Sequence, residues 1–212
     1  DRTIRENDGS TTGDLTLEKL IANSGNVGMV KIAQMIKNNE FYDYLKNIGF
    51  GSKTEIDTFS ESTQKLFNQK EMSEVKKANI SFGQGIAMTQ MQMLMALNTV
   101  INDGKLMKPY LVEKIVDGDN NIIEQNSSTV LKTVFSEEVS RLNRQYMEAV
   151  VTKGTGRGIQ IPGYRIGGKT GTAQKSGNRG YEAGKYFSSF FAFFPVDNPK
   201  YAILITVNEP KG

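Results

Sequence analysis

Two short segments of the sequence carry the side chains most suited to chemistry. The first, Ser24–Asn26, reads Ser-Gly-Asn and offers a hydroxyl and a carboxamide. The second, Gly168–Thr172, reads Gly-Lys-Thr-Gly-Thr and offers an ammonium beside two hydroxyls. Hydroxyls and lysines can transfer protons during acyl transfer, and a lysine in a glycine-rich loop can also bind phosphate. The two segments therefore suit either acyl transfer or nucleotide binding.

The composition excludes many other kinds of active site. The 212 residues include no histidine and no cysteine. This rules out a Ser-His-Asp triad, a thiolate nucleophile, disulfides, thiolate or imidazole zinc sites and haem ligation. Catalysis must then use hydroxyls, lysines, carboxylates or backbone N–H groups, and we expect neither a cofactor nor a metal. The net charge of +3 is a mild excess spread along the chain, so we expect no nucleic-acid partner.

The second segment lies within a pattern that is typical of nucleotide-binding proteins. Residues 163–170 match the spacing G-x-x-x-x-G-K-[ST] of a phosphate-binding loop. Such a loop needs a helix that begins at the Lys-Thr pair, because the N–H groups of the helix N-terminus hold the phosphates. Here Gly171 follows at once, and residues 173–180 are polar, with two further glycines and no apolar face. We therefore predict an extended segment instead.

On this second interpretation, Lys169–Thr172 lies at the end of an exposed edge strand. Side chains alternate along a strand, so Lys169 and Gly171 would share one face, and Thr170 and Thr172 the other. A glycine at position 171 lets a ligand backbone approach closely, and the free N–H groups of an edge strand can pair with an extended peptide. The interpretation predicts a site for an acyl-peptide.

Hydrophobic periodicity and capping residues predict the elements that position these segments. We expect one helix on each side of Ser24–Asn26, the first beginning at Thr16. The later predictions are a helix after Asn39 that stops at Gly49, irregular surface with a helical turn or two over 51–81, a helix from Thr89 to about Gly104, a hairpin over 112–125, a helix from Ser136 to Gly154, and strands over 164–172, 186–194 and 201–208. A helical block followed by an antiparallel meander is an α+β arrangement.

Five stretches of the chain together resemble a known protein family. They are residues 24–33 (SGNVGMVKIA), 41–51 (FYDYLK followed by GFG), 81–85 (SFGQG), 102–109 (NDGKLMKP) and 167–174 (GGKTGTAQ). In this order they resemble the class B penicillin-binding proteins, D,D-transpeptidases of the cell-division type, whose motifs are S-x-x-K, S-x-N and K-T-G. The resemblance covers nearly the whole chain.

The resemblance implies a fold, a reaction and partners. The fold would be a partial β-lactamase/transpeptidase-like fold, α+β, with a helical block and an antiparallel sheet of three C-terminal strands. The reaction would be acyl transfer, in which a serine attacks the D-Ala-D-Ala bond of a peptidoglycan stem peptide, and β-lactams would imitate that dipeptide. The protein would act on the extracytoplasmic face of the bacterial cytoplasmic membrane, together with division or elongation membrane proteins.

The resemblance also implies roles for single residues. Ser24 would relay a proton to the leaving amine, Asn26 would hold the peptide group of the substrate, and Lys169 would place positive charge beside Ser24. Thr170 and Thr172 would bind the substrate carboxylate, and the Thr172 N–H would be an oxyanion donor. Structural alternatives remain open: Ser24 suits a helix cap, Asn26 suits a turn, and lysine or threonine is ordinary on an edge strand.

The nucleophilic serine of this family belongs to an S-x-x-K motif that precedes S-x-N, and it is not found there. Two matches, residues 62–65 and 73–76, follow S-x-N in polar sequence, and we predict that both are solvated surface. We therefore expect residues 1–212 to be a single incomplete transpeptidase domain, without its S-x-x-K part and its C-terminal helix, and to be inactive alone. The alternative is a penicillin-recognising sensor or a catalytically inactive relative.

Three further positions bear on the prediction. The segment Gly154–Gly158 reads GTGRG and follows a predicted helix, so we interpret it as a helix stop with a loop near the site and not as a nucleotide loop. The family resembled usually has glycine where Glu55 stands and proline where Gln90 stands. Both differences lie outside the motifs and bear only on local loop geometry.

Overall fold

The computed structural model of the protein describes residues 3–6, 13–177 and 180–211. The helices are α1 (Leu17–Ala22), α2 (Asn26–Gln34), α3 (Asn38–Asn47), α4 (Glu74–Ser81), α5 (Gln90–Ile101) and α6 (Glu137–Thr152), with single 3-10 turns at Gln69–Glu71 and Arg157–Ile159. Over these described stretches, no helix is both long enough and apolar enough to cross a membrane.

The strands pair only in the antiparallel sense within the described residues. They are β1 (Lys105–Lys108), β2 (Lys114–Val116), β3 (Ile122–Gln125), β4 (Thr129–Thr133), β5 (Gly167–Gly177), β6 (Gly180–Phe194) and β7 (Tyr201–Asn208). β1 pairs with β4, β2 pairs with β3, and the last three form a sheet in the order β5-β6-β7. The α+β arrangement with a C-terminal antiparallel sheet is as predicted, and β5 is an edge strand.

Most helix boundaries follow from the capping residues that the sequence displays. The Thr89 hydroxyl accepts a hydrogen bond from the Gln92 N–H at 3.1 Å, and the Gln92 side chain accepts one from the Thr89 N–H at 2.9 Å, which is a capping box. Ser136 caps α6 with a single bond, its hydroxyl accepting from the Val139 N–H at 3.3 Å. Gln90 is the first residue of α5, a position that favours proline, so the proline usual in the family would fit the same backbone.

The helical turns predicted within irregular surface over residues 51–81 are present as α4, but the prediction of surface is wrong at this C-terminal end. There α4 forms two turns of helix with Lys77 and Ile80 buried. The Lys77 ammonium donates to the carbonyl oxygen of Ile36 at 2.7 Å and pairs with Glu74 at 3.2 Å. Because a lysine occupies an inward position of the helix, the apolar periodicity that would have revealed α4 is interrupted.

Two of the three predicted C-terminal strands have wrong bounds, whereas β7 has the predicted bounds 201–208. The sequence suggested a Gly-rich polar loop between residues 172 and 186, but β5 continues to Gly177 and β6 begins at Gly180, with the two strands paired along this extension. The extension is polar and mostly exposed, so it lacks the alternation of apolar residues by which strands are recognised. Strands β1 and β4 were not predicted, because each is short and rich in lysine or threonine.

Two clusters of buried side chains hold the elements together. One lies among α3, α4 and α5 and includes Tyr42, Ile80 and Ala96. The other joins α5 and α6 to the sheet, where Phe191 and Phe193 of β6 pack against Ile101 and Met147. Since α5 contributes to both clusters, it connects the helical part to the sheet and fixes β6 in place. β5 is positioned in turn by its pairing with β6.

The segment after α6 anchors the junction between α1 and α2. Gly154 is buried, and a Cβ at this position would overlap the carbonyl oxygen of Ala22, the last residue of α1. The next residue, Thr155, donates its N–H to the same carbonyl oxygen at 3.0 Å. The close approach of the two backbones requires glycine here, and it holds the chain just before Ser24.

This close approach predicts the effect of adding a single methyl group. Gly154→Ala should lower the free energy of unfolding by about 2 kcal/mol, because the methyl group must push two backbones apart. Gly158→Ala is the matched control, since a Cβ at that position would have no neighbour within 4 Å, and it should change stability by less than about 0.5 kcal/mol. Urea unfolding of both variants measures the difference. Equal stabilities would show that the backbones are not packed as described.

Candidate active site

Ser24 lies in a backbone conformation that favours glycine. Its φ angle is 57°, in the left-handed region. The Ser24 N–H donates to the carbonyl of Ile21 at 3.2 Å, and the Gly25 N–H donates to that of Leu20 at 2.9 Å. This pair of bonds is the Schellman motif, in which the residue at the position of Ser24 is usually glycine. A side chain in this conformation costs about 1–2 kcal/mol, and such strain is typical of functional residues.

The hydroxyl of Ser24 does not cap a helix. Gly25 is the N-cap residue of α2 and provides no side-chain cap. The Glu6 carboxylate takes this place, accepting from the N–H groups of Asn26 at 2.6 Å and Val27 at 3.2 Å. The alternative interpretation of Ser24 as a side-chain helix cap is therefore wrong. Its hydroxyl oxygen instead accepts a hydrogen bond from the Lys169 ammonium at 2.7 Å.

Lys169 is a half-buried lysine near the N-terminal end of β5, two residues after the strand begins. Burial removes water from its ammonium and lowers its pKa to about 8. The ammonium also donates to the Thr170 carbonyl at 3.1 Å. With this pKa the side chain is mostly protonated at pH 7 but loses its proton easily, so it suits both the binding of an anion and the transfer of a proton.

The other predicted residues of β5 differ in their surroundings. The Thr170 hydroxyl lies 3.5 Å from the Lys169 ammonium and 2.9 Å from the Thr155 hydroxyl. Gly171 is opposite Ser189, whose hydroxyl lies 2.5 Å from the place that a Cβ would occupy, so a side chain here would have to displace that hydroxyl. Thr172 is exposed. These residues lie within β5 and not at its end, which corrects the predicted strand boundary.

The outer edge of β5 is contacted by Gln84, which follows α4. The Gln84 carboxamide donates to the Thr172 carbonyl at 3.3 Å and accepts from the Gln174 N–H at 3.3 Å. The N–H and C=O of one strand residue point to the same edge, so the Thr172 N–H also faces outward. β5 therefore presents a backbone donor at its open edge, on the same strand as Lys169.

Asn26 is the first residue of α2 and is two residues from Ser24. Its carboxamide donates to the carbonyl oxygen of Arg5 at 3.2 Å. Among the described residues it makes no hydrogen bond with Ser24 or Lys169. The structure thus brings Ser24, Lys169 and Thr170 together by direct contact, whereas Asn26 is near them through the backbone of the α1–α2 junction.

Comparison with known proteins shows which family the chain belongs to. The family described as the penicillin binding protein transpeptidase domain matches residues 2–212. The chain belongs to this transpeptidase domain family. It is 36% identical to stage V sporulation protein D of Bacillus subtilis, over 93% of this chain and 31% of that protein. It is also 36% identical to the peptidoglycan D,D-transpeptidase FtsI homolog of Mesostigma viride, over 92% of this chain and 36% of that protein.

A solved structure agrees with the family assignment. Penicillin binding protein 3 of Mycobacterium tuberculosis, complexed with ampicillin, superposes with a TM-score of 0.89 at 28% identity, covering 97% of this chain and 47% of that one. The fold is therefore that of the penicillin-binding transpeptidase domains. The chain spans 31% and 36% of the length of the two curated relatives that it matches.

The competing sequence patterns do not form sites in this transpeptidase fold. Lys169 lies within a strand, so no helix N-terminus is present to hold phosphate, and the nucleotide-binding interpretation is wrong. Ser62 is exposed in an irregular segment. Ser73 is the exposed N-cap of α4, accepting from the Lys76 N–H at 3.2 Å, while the Lys76 ammonium pairs with Glu71 at 3.4 Å. As predicted, both serines of the S-x-x-K matches are on the solvated surface.

Sequence reasoning missed three side chains that shape the site. Glu6 caps α2, Gln84 binds the edge of β5, and Thr155 contacts Thr170. The glycines around Thr155 and Gln84 were the available signals, because each pair marks a tight backbone turn. Glu6 had no such signal, since a carboxylate that caps a helix 20 positions away is found only in three dimensions.

An apolar cavity of about 810 Å³ lies beside β5, next to Ala173 and Gln174. It lies between the helices and one face of the sheet, and its lining includes Met29, Ile32, Phe41, Met93, Ala173 and Phe187. Gln174 and Ser189, which contact Gln84 and Gly171, also line it. A space of this size and polarity between packed elements suits an apolar group and adjoins the strand that carries Lys169.

The left-handed backbone of Ser24 predicts an unusual order of stabilities. Ser24→Gly should unfold with a free energy about 1 kcal/mol higher than that of Ser24→Ala, because only glycine adopts this φ without steric cost. Both variants lose the hydroxyl, so their difference isolates the backbone. Ser140, within α6, is the matched control, and there the alanine variant should be the more stable of the pair. Chemical denaturation of the four variants would contradict the assignment if both sites gave the same order.

The burial of Lys169 predicts its titration. An NMR titration of the side-chain nitrogen should give a midpoint near 8, because desolvation disfavours the ammonium. Ser24→Ala should lower that midpoint further, because the ammonium loses a hydrogen-bond acceptor that stabilises its charged form. A midpoint at the ordinary lysine value of 10.5 would show that Lys169 is not desolvated.

Proposed function

We propose that this chain is part of a serine-type D,D-transpeptidase, which cross-links peptidoglycan stem peptides that end in D-Ala-D-Ala and which reacts with β-lactams. The family membership supports the reaction class. One relative is named a peptidoglycan D,D-transpeptidase homolog, and a structural neighbour is a penicillin-binding protein complexed with ampicillin. The observation that carries the proposal is the 2.7 Å hydrogen bond from Lys169 to Ser24.

Ser24 and Lys169 form the proton path of the proposed reaction. The Lys169 ammonium donates to the Ser24 oxygen, so the proton of Ser24 is free to point away from Lys169. When the peptide bond breaks, Ser24 gives this proton to the leaving amine and takes one from Lys169. A lysine whose pKa lies near 8 makes this transfer less costly than an ordinary lysine would, and no histidine is needed.

Residues of β5 and α2 bind the substrate in this proposal. Thr170 and Thr172 hold the terminal carboxylate beside the Lys169 charge, and the outward N–H of Thr172 binds the oxyanion. Gly171 has no side chain, so β5 can lie close to β6 and the backbone of a ligand can approach the backbone of β5. Asn26 holds the peptide group of the substrate. To do so, its carboxamide gives up its hydrogen bond to the Arg5 carbonyl.

The nucleophile is supplied from outside residues 1–212, which form an incomplete domain. The two serines of the S-x-x-K matches are exposed, and neither contacts Lys169 in the described residues. The apolar cavity beside β5 has room for a helix face that carries the missing S-x-x-K motif. By itself the chain binds no substrate covalently and is inactive.

The proposal places the site on the extracytoplasmic face of the bacterial cytoplasmic membrane. Its substrate, peptidoglycan, lies on that side. We further propose division or elongation membrane proteins as partners, as the resemblance to the cell-division-type transpeptidases implies.

A fluorescent penicillin tests the proposed function. It should label the full-length protein and leave this 212-residue chain unlabelled. In the full-length protein, Lys169→Ala should slow labelling by about 10²-fold, because the proton path is lost. The matched control Lys200→Ala and the two variants Ser62→Ala and Ser73→Ala should label at the normal rate. Labelling of the chain alone would refute the placement of the nucleophile, and an unlabelled full-length protein would refute the function.

A further inference from the structure

Thr155 makes a contact that the proposed function does not use. It belongs to the GTGRG segment after α6, and its hydroxyl lies 2.9 Å from the Thr170 hydroxyl. The same hydroxyl lies 3.5 Å from the Ala22 carbonyl oxygen, to which the Thr155 N–H donates at 3.0 Å. One residue therefore links β5 to the α1–α2 junction that presents Ser24.

The backbone on each side of Thr155 is held in place. Gly154 has no room for a side chain, because of the Ala22 carbonyl. Gly156 is buried and donates its N–H to the Val150 carbonyl at 2.9 Å. Thr155 itself is exposed, so its hydroxyl is fixed in position by the neighbouring backbone while remaining accessible to solvent and ligand.

The hydrogen-bond capacity of these groups limits where the protons lie. A hydroxyl has one proton to donate and two lone pairs to accept with, and a carbonyl oxygen only accepts. If Thr170 donates to Thr155, then Thr155 has the Ala22 carbonyl as its acceptor. If Thr155 donates to Thr170 instead, the Thr170 hydroxyl keeps its proton free to donate to another group. An incoming carboxylate, which only accepts, favours the second arrangement because it gains a charge-assisted bond from Thr170.

We infer that Thr155 is a positioning residue whose hydroxyl donates to Thr170 and thereby directs the Thr170 proton to a bound carboxylate. The inference rests on the proposed function, in which Thr170 contacts the substrate carboxylate. Thr155 acts through Thr170 and does not itself touch the reacting atoms. Its effect is selective, since it strengthens binding of a free carboxylate more than binding of a neutral carboxamide.

Two thioester substrates that differ only at the terminus test this selectivity in the full-length protein. One ends in a free carboxylate and the other in a carboxamide. Thr155→Val should lower kcat/KM about tenfold for the carboxylate and less than about twofold for the carboxamide. The reason is that the Thr170 hydroxyl loses the partner that directs its proton to the carboxylate. Thr155→Ser keeps the hydroxyl and should restore most of the preference for the carboxylate. The pH profile should keep its midpoint, since Lys169 retains its contact with Ser24.

The controls separate this inference from the proposed function. Thr152→Val removes an exposed hydroxyl that bonds within α6, and it should leave the preference unchanged. A wild-type protein that no thioester acylates would refute the function. If the wild type reacts but Thr155→Val slows both thioesters equally, or neither, the inference is wrong. Should the valine variant fail to fold, Thr155→Ala and Thr155→Ser give the same comparison.

Discussion

The hydrogen bond between Lys169 and Ser24 is the interaction on which the site depends, and it joins residues 145 positions apart. Holding each partner in place costs free energy. Lys169 loses hydration, which lowers its pKa to about 8, and Ser24 occupies a left-handed backbone conformation. Neither cost is recovered locally, so the surrounding fold must hold both residues. Such strain persists only where the rest of the structure determines it.

Packing provides this support from two directions. On one side, Phe191 and Phe193 bury β6 against α5 and α6, and β5 follows β6 through its hydrogen bonds. On the other side, α6 is followed by Gly154, whose backbone meets that of Ala22 two residues before Ser24. The same helix thus helps to place both ends of the contact. Because α6 contacts β5 and α1 directly, a change in its position would move Lys169 and Ser24 together.

Local sequence signals predicted most elements but not their spatial relations. Thr89 and Ser136 marked the starts of helices, and alternation marked the core of the three-stranded sheet. Helix α4 was predicted only as a helical turn or two of irregular surface, because Lys77 is buried with the Ile36 carbonyl and Glu74 as partners, an environment that periodicity cannot reveal. At Glu55, φ is 60°, which explains why glycine suits this position in the family.

The site could be predicted from the sequence less completely than the fold. The spacing of residues 163–170 matches a phosphate-binding loop, but the residues after Lys169 lack a helical face, and their composition favoured a strand. That Ser24 lies beside Lys169 followed only from the resemblance to the penicillin-binding proteins, since no local rule relates residues so distant in sequence. Thr155 and Gln84 were marked by glycines, but glycine indicates only a turn and not what the turn contacts.

Burial of Lys169 also explains how one side chain suits two tasks that oppose each other. A lysine that binds a carboxylate must keep its proton, whereas one that supplies a proton must release it readily. A pKa of about 8 meets both needs near neutral pH, where the ammonium predominates but deprotonation costs little. A carboxylate bound nearby would raise this pKa, and departure of the product would lower it again. A bound ligand would thus set the protonation state of Lys169.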